Sequence, residues 1–124
     1  MTDGSEPQTG RERVAAEYGR RVLQALDDFL EHADEAAWAV VERHRVDPRV
    51  ARMMAESLMI RLGEAVNRVG RPFADAHPGL DLRGVAGARN VAAHGYDIVD
   101  HEILWTAFER DLPSTVEALH QLLA

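Results

Sequence analysis

The chain reads as an all-α protein, an antiparallel bundle of four to five helices. Three observations predict this. Apolar residues recur at three- and four-residue steps along most of the 124 residues. No segment alternates with the period of two that marks a half-buried strand. Capping residues, Gly and Pro then cut the apolar stripes into helix-sized pieces joined by short connections, which favour antiparallel neighbours. A domain of this size buries a thin core, so a second copy is expected to cover part of the apolar area.

The elements follow in order. Residues 1–10, MTDGSEPQTG, read as a disordered tail closed by Thr9-Gly10, and residues 11–124 as the helical domain. Val14, Tyr18, Val22, Leu26, Phe29, Leu30 and Ala33 form one stripe of a first helix. Asp34 is placed as the N-cap of a short second piece, Glu35 to His44, built around Trp38 and Val41. Asp47-Pro48 supplies a cap followed by Pro at the first helical position, and opens the longest element. Val50, Met53, Met54, Leu58, Leu62, Ala65, Val66 and Val69 carry it to the stop at Gly70-Arg71-Pro72. Residues 73–79 make a connector with one helical turn. Asp81 is expected to cap a fourth helix, Leu82 to His94, ended by Gly95. Asp100 caps the last, which Pro113 should kink or restart. Met53, Met54, Met59, Trp38 and Trp105 are expected in the core, and His32, His44, His77 and His120 in solvent.

Composition removes several classes of function. At 46% hydrophobic and 28% charged the chain is neither disordered nor fibrous. No apolar run approaches the roughly 18–20 residues that span a bilayer, so no membrane role is expected. The polar N-terminus has no apolar signal region, and Cys is absent, which excludes disulfides, thiol nucleophiles and Cys-ligated zinc. A reducing cytoplasm is the expected location. The net charge of −7 argues against a bulk electrostatic hold on nucleic acid. That charge is uneven: Met1 to Glu42 carries −6, Arg43 to Arg71 +4, and Pro72 to Ala124 −5. Arg43, Arg45, Arg49 and Arg52 in the basic island could rim a nucleic-acid cleft or simply form a solvated helix face.

The stretch from Gly84 to Tyr96 is where chemistry concentrates. It is rich in small residues that allow close approach, and into it are set Arg89, Asn90, His94 and Tyr96. A permanent cation with five donors beside a group that titrates near neutrality suits a phosphodiester: the guanidinium matches phosphate oxygens and the imidazole moves a proton. A structural account of the same residues stays open, with Arg89 paired to a helix acid and His94 placed in a last turn by the dipole. Glu64, among the apolar residues of the long helix, is a candidate to orient Arg89, an ordinary surface role being equally open. His94, Asp97, Asp100 and His101 fall close together but match no metal-ligand spacing, so neither a metal nor another cofactor is expected.

Arg89, four residues, His94, one residue and Tyr96 resemble the RxxxxHxY motif of the HepT-like branch of the HEPN superfamily. Gly63-Glu64-Ala65, His77-Pro78 followed by Asp81 to Ala86, and Val99-Asp100, Trp105 and Asp111-Leu112-Pro113 resemble its flanking segments in order, covering about residues 14–123. The resemblance implies a helical-bundle homodimer acting as the toxin of a type VII-like toxin–antitoxin pair. It implies a metal-independent endoribonuclease with Arg89 and His94 as the catalytic pair and Asn90 at a polar position beside the motif Arg. It further implies a minimal nucleotidyltransferase antitoxin that transfers AMP to Tyr96. The acidic tail is not explained by it. The competing expectation is a non-catalytic helical module that docks a nucleotidyltransferase and binds a nucleotide or phosphate.

Helix geometry adds a constraint. On an ideal helix Arg89 and His94 would lie about 140° apart around the axis and about 7.5 Å along it. They point the same way only if Gly95 helps the last turn unwind or the partner chain supplies one of them. The motif is therefore expected at a helix end facing the two-fold seam, with both His94 side chains lining one cleft.

Overall fold

A computed structural model of the chain describes residues 9–93 and 99–124. Among these the regular secondary structure is helical, apart from a single antiparallel bridge between Ala93 and Val99. The tail before Thr9 and the motif residues His94 and Tyr96 lie outside the described residues.

Thr9, assigned by sequence to the tail, caps the first helix, its hydroxyl accepting from Glu12 N at 3.1 Å. Helix α1 (Gly10–Tyr18) begins with a buried glycine whose amide donates to the Ala124 carbonyl. A Cβ there would collide with the Leu122 carbonyl, so the start of the domain closes against its C-terminal turn through a residue that must be Gly.

The single first helix expected from sequence is two. Gly19 takes φ 98°, which only glycine adopts at low cost, and separates α1 from α2 (Arg20–Glu42). The apolar stripe runs through the break because both helices bury it on the same core. Arg11 forks onto Asp27 at 2.8 and 2.7 Å and ties the two together. Conversely, Asp34 caps nothing: α2 continues unbroken through it to Glu42. Ala33, Ala36 and Ala39 continue the stripe with small residues, and α2 packs along α3 (Pro48–Val69), which buries Ala51, Ala55 and Leu58. The turn between them is as expected: Asp47 Oδ1 accepts from Arg49 N at 2.8 Å, and Pro48 opens α3.

Gly70 ends α3 at φ 85° and admits α4 (Arg71–Ala76) and a 3₁₀ turn, Pro78–Leu80. Phe73 is fully buried, edge-on to Tyr18 at 5.2 Å and stacked on His77 at 4.3 Å. His77, expected in solvent, is thus half-buried, with Nδ1 3.0 Å from the Phe73 carbonyl. The predicted helix from Leu82 to His94 is also replaced by two short ones, α5 (Leu82–Ala86) and α6 (Ala88–Ala92), divided at Gly87. Asp81 stands at the N-cap of α5 as expected, but its side chain makes no capping hydrogen bond. It takes the left-handed conformation and folds its carboxylate over Gly84, where a side chain would clash with it.

Helix α7 (His101–Thr106) is capped by Asp100, whose carboxylate accepts from Glu102 N at 3.0 Å. A π turn, Ala107–Asp111, then joins it to α8 (Leu112–Leu123), with Pro113 in the first turn of α8. The expected disturbance at Pro113 takes this form, because a wider turn absorbs the amide that proline lacks. Leu26, Phe29, Leu62, Phe73, Leu104, Phe108, Leu112 and Leu119 fill the centre. Buried Thr115 donates to the Leu80 carbonyl at 2.8 Å and pins α8 to the 3₁₀ turn.

Trp38 and Met53 are corrections to the expected core: they stand 62% and 70% exposed. With Val50 and Met54 they line an open apolar groove of about 670 Å³ between α2 and α3. Met59 and Trp105 are buried as expected.

Candidate active site

Ala88 and Ala92 are buried and press α6 onto the core, leaving Arg89 partly exposed and Asn90 and Val91 outward. The helix ends at Ala92, two residues before His94. Asp100 N donates to the Ala92 carbonyl at 3.0 Å, and the bridge between Ala93 and Val99 lies beside it. These contacts join the two stems of the segment that carries His94 and Tyr96. Helix α6 thus ends earlier than the His94 expected from sequence, and Gly95, expected to unwind the last turn, lies outside the described residues.

Arg89 has a defined anchor. Its Nη2 lies 3.5 Å from Glu56 Oε1 on α3, and Glu56 Oε2 lies 3.4 Å from His101 Nε2 at the start of α7. One carboxylate thus meets a side chain from each stem. The Arg89 side chain remains 43% exposed, while its Nε is buried without a hydrogen-bond partner among the described residues. A guanidinium held at one end by a carboxylate and open at the other is preorganised to receive an anion.

The carboxylate that pairs with Arg89 is therefore Glu56. Glu64, exposed and two turns further along α3, does not take that place. Asn90 lines a separate polar cavity of about 320 Å³ with Gly63, Asn67, Arg71 and Arg83. Gly63 opens that cavity and Ala65 is fully buried, which gives the Gly63-Glu64-Ala65 segment its packing reason. Glu56 escaped the sequence because it is 33 positions from Arg89 and nothing in one chain's pattern sets the register between two helices. His101 carries a signal in the sequence, its place just after Asp100, but that position does not show that its side chain reaches α3. Among the described residues no cluster suited to a metal ion occurs.

The basic island divides. Arg45 is 3.3 Å from Glu42 and Arg49 is 3.7 Å from Asp47, both local surface pairs. Arg43 and Arg52 instead line a cleft of about 520 Å³ with His44, His101 and Trp105, so one residue, His101, belongs both to this cleft and to the Glu56 contact.

The family model for HepT-like ribonucleases matches residues 21–122. The chain belongs to the HepT-like ribonuclease family. A candidate RNase of Caldanaerobacter subterraneus subsp. tengcongensis is 26% identical over 103 residues, covering 77% of this chain and 91% of the relative. Two candidate RNases of Methanocaldococcus jannaschii are 20% and 21% identical, covering 82% and 74% of this chain and 81% of each relative. No solved structure matches the chain significantly. Among the described residues of this HepT-like chain, no helix is long and apolar enough to cross a membrane.

Proposed function

We propose that this HepT-like protein is a metal-independent endoribonuclease, the toxin of a type VII-like toxin–antitoxin pair, acting in the cytoplasm as a homodimer. The observation that carries the reading is the Arg89 guanidinium, anchored on Glu56 yet open, beside the joined stems of the segment that holds His94 and Tyr96. Arg89 binds the non-bridging oxygens of the scissile phosphate and stabilises the dianionic phosphorane, a contribution on the order of 3 kcal/mol. His94 takes the proton from the ribose 2′-hydroxyl as it attacks phosphorus, or returns one to the departing 5′-oxygen, typically a gain of about 10²–10⁴-fold. The products are a 2′,3′-cyclic phosphate and a 5′-hydroxyl. One imidazole does not readily serve both transfers in a single in-line step, so the second copy supplies the other across a shared cleft. Asn90 contacts the same strand from its neighbouring cavity.

The exposed apolar groove of Trp38, Val50, Met53 and Met54 supports pairing with a second copy. Its rim carries Asp34, Glu35 and Arg61, with Arg61 3.0 Å from Glu35, so the patch has no single-sign charge that would repel a second copy. Control is assigned to a minimal nucleotidyltransferase that transfers AMP to Tyr96: the added phosphodiester charge of about −1 and a nucleoside would repel and occlude the RNA backbone.

Purified protein incubated with a short defined RNA, with end-group analysis, tests the reading. Cyclic-phosphate ends that persist in EDTA and vanish in Arg89→Ala and His94→Ala are expected. Loss of cleavage in EDTA overturns the metal-free mechanism, and absence of cleavage overturns the enzyme. Co-expression with a neighbouring nucleotidyltransferase should add AMP by intact mass, and an adduct that survives Tyr96→Phe refutes the assigned residue.

A further inference from the structure

The cleft where the end of α2, the start of α3 and the start of α7 meet is not used by the chemistry above. Arg43 forms its back wall: the guanidinium lies 5.0 Å over the Trp105 ring, its side chain is only 16% exposed, and its Nη1 is buried without a partner among the described residues. Arg43 Nε donates to His44 Nε2 at 3.2 Å, which leaves the His44 proton on Nδ1 as a free donor. Arg52 lines the same cleft, is exposed, and enters no ion pair among the described residues, unlike Arg45 and Arg49. His101 closes the cleft towards Glu56 and Arg89.

We infer that this cleft is a second phosphodiester subsite, in which His44 and Arg52 hold the RNA backbone next to the phosphate bound at Arg89. The inference rests on the ribonuclease reading for what the strand undergoes, though not for its binding. The opposite wall favours RNA over an acidic peptide. Asp100 and Glu102 also line the cleft; their carboxylates repel a phosphate as much as an acidic side chain, but a nucleic-acid strand brings base amino groups for them to accept from, which an acidic side chain does not. An acidic protein thereby keeps a local hold on RNA: the strand is gripped by a few placed donors rather than by net charge. Arg43 is a positioning residue: its Nε is spent on His44, its guanidinium lies on the Trp105 face with Nη2 3.8 Å from Glu109, and its unpartnered Nη1 is buried.

Fluorescence anisotropy with an end-labelled, fully 2′-O-methylated RNA strand reads binding apart from cleavage. Arg52→Ala should weaken binding about five- to tenfold at low salt and reduce the slope of log K against log salt by about 0.7, the loss of one single-strand phosphate contact. Arg52→Lys should restore the slope, and His44→Ala should weaken binding without the loss of a full charge contact. Arg21→Ala, about 30 Å away at the other end of α2, should bind as wild type. Wild-type affinity and slope in both Arg52→Ala and His44→Ala overturn the subsite. So does an Arg21→Ala loss equal to that of Arg52→Ala, which would mean diffuse attraction, and so does absence of any binding at low salt. If the strand binds as expected but unmodified RNA is not cut, the ribonuclease reading fails and the subsite stands.

Discussion

Replacing Glu56 by Gln separates a positioning role from a structural one. The substitution keeps the side chain's shape and removes the charge that faces Arg89 and His101. Its two contacts, at 3.5 and 3.4 Å, are longer than the 2.7–2.9 Å of a charge-assisted hydrogen bond, and Glu56 is 34% exposed. Each pair therefore belongs to the surface class, worth about 0.2–1 kcal/mol, so the loss of stability should stay below about 2 kcal/mol. For a domain of this size that is a fall in Tm of less than about 10 °C. The effect on turnover is of another order. An Arg89 released from its anchor and displaced by about 1 Å should cost on the order of 10²-fold, equivalent to about 2.7 kcal/mol of barrier. Thermal melts by circular dichroism and initial rates on a defined RNA measure the two quantities. The expected result is a kcat reduced about 10- to 100-fold, a KM within about threefold of wild type, and a modest fall in Tm. Turnover within twofold of wild type would refute the reasoning, because Arg89 would then hold its place without the carboxylate. A Tm loss well beyond 10 °C would show that Glu56 serves the fold instead.

Met53→Glu puts a charge into the α2–α3 groove. Burying one Met is worth about 1.5–3 kcal/mol and a two-fold interface contains it twice, so dimer affinity should fall by at least 10²-fold and light scattering should report a monomer; an unchanged mass refutes the assigned surface. Leu62→Ala, at a fully buried site on α3, should cost about 2–5 kcal/mol by urea unfolding, and a loss under 1 kcal/mol would mean that the centre collapses readily around the cavity. Asp28 is held below the usual carboxylate range by hydrogen bonds from Arg68 first and Gln24 second. Its folded form thus binds a proton less readily than the unfolded chain. The stability it adds, about 0.5–1 kcal/mol, is complete above the unfolded value of about 3.9 and is lost as pH falls through the lower folded value. The difference in urea midpoint between wild type and Asp28→Asn should accordingly vanish in strong acid, and a difference that persists there would place its origin elsewhere.

Much of the fold was legible because its signals are local. Asp47-Pro48, Asp100 and Gly70 end or begin helices through contacts within a few residues, and each behaves as its type dictates. The errors share one physical origin. A helical stripe continues through Gly19 because both flanking helices face one core, so periodicity alone does not register the break. Asp34 has the chemistry of a cap, but α2 runs through it, since a potential cap acts only where the backbone already departs from the helix. Trp38 and Met53 are apolar and in phase with the core yet exposed, because phase fixes a direction and not whether anything stands there.

The sequence by itself determined the helical class, the Arg89–His94–Tyr96 spacing and the family that this spacing marks, since each is written in residue type and interval along one chain. Only the tertiary structure decided that Glu56 and not Glu64 meets Arg89, that His101 shares that carboxylate, and that Arg43 and Arg52 leave the surface row of Arg45 and Arg49 to line a cleft. Those choices depend on how far α3 is turned and slid against α6 and α7. That register is set by the summed packing of buried side chains on every helix, a quantity that no single stretch of sequence contains.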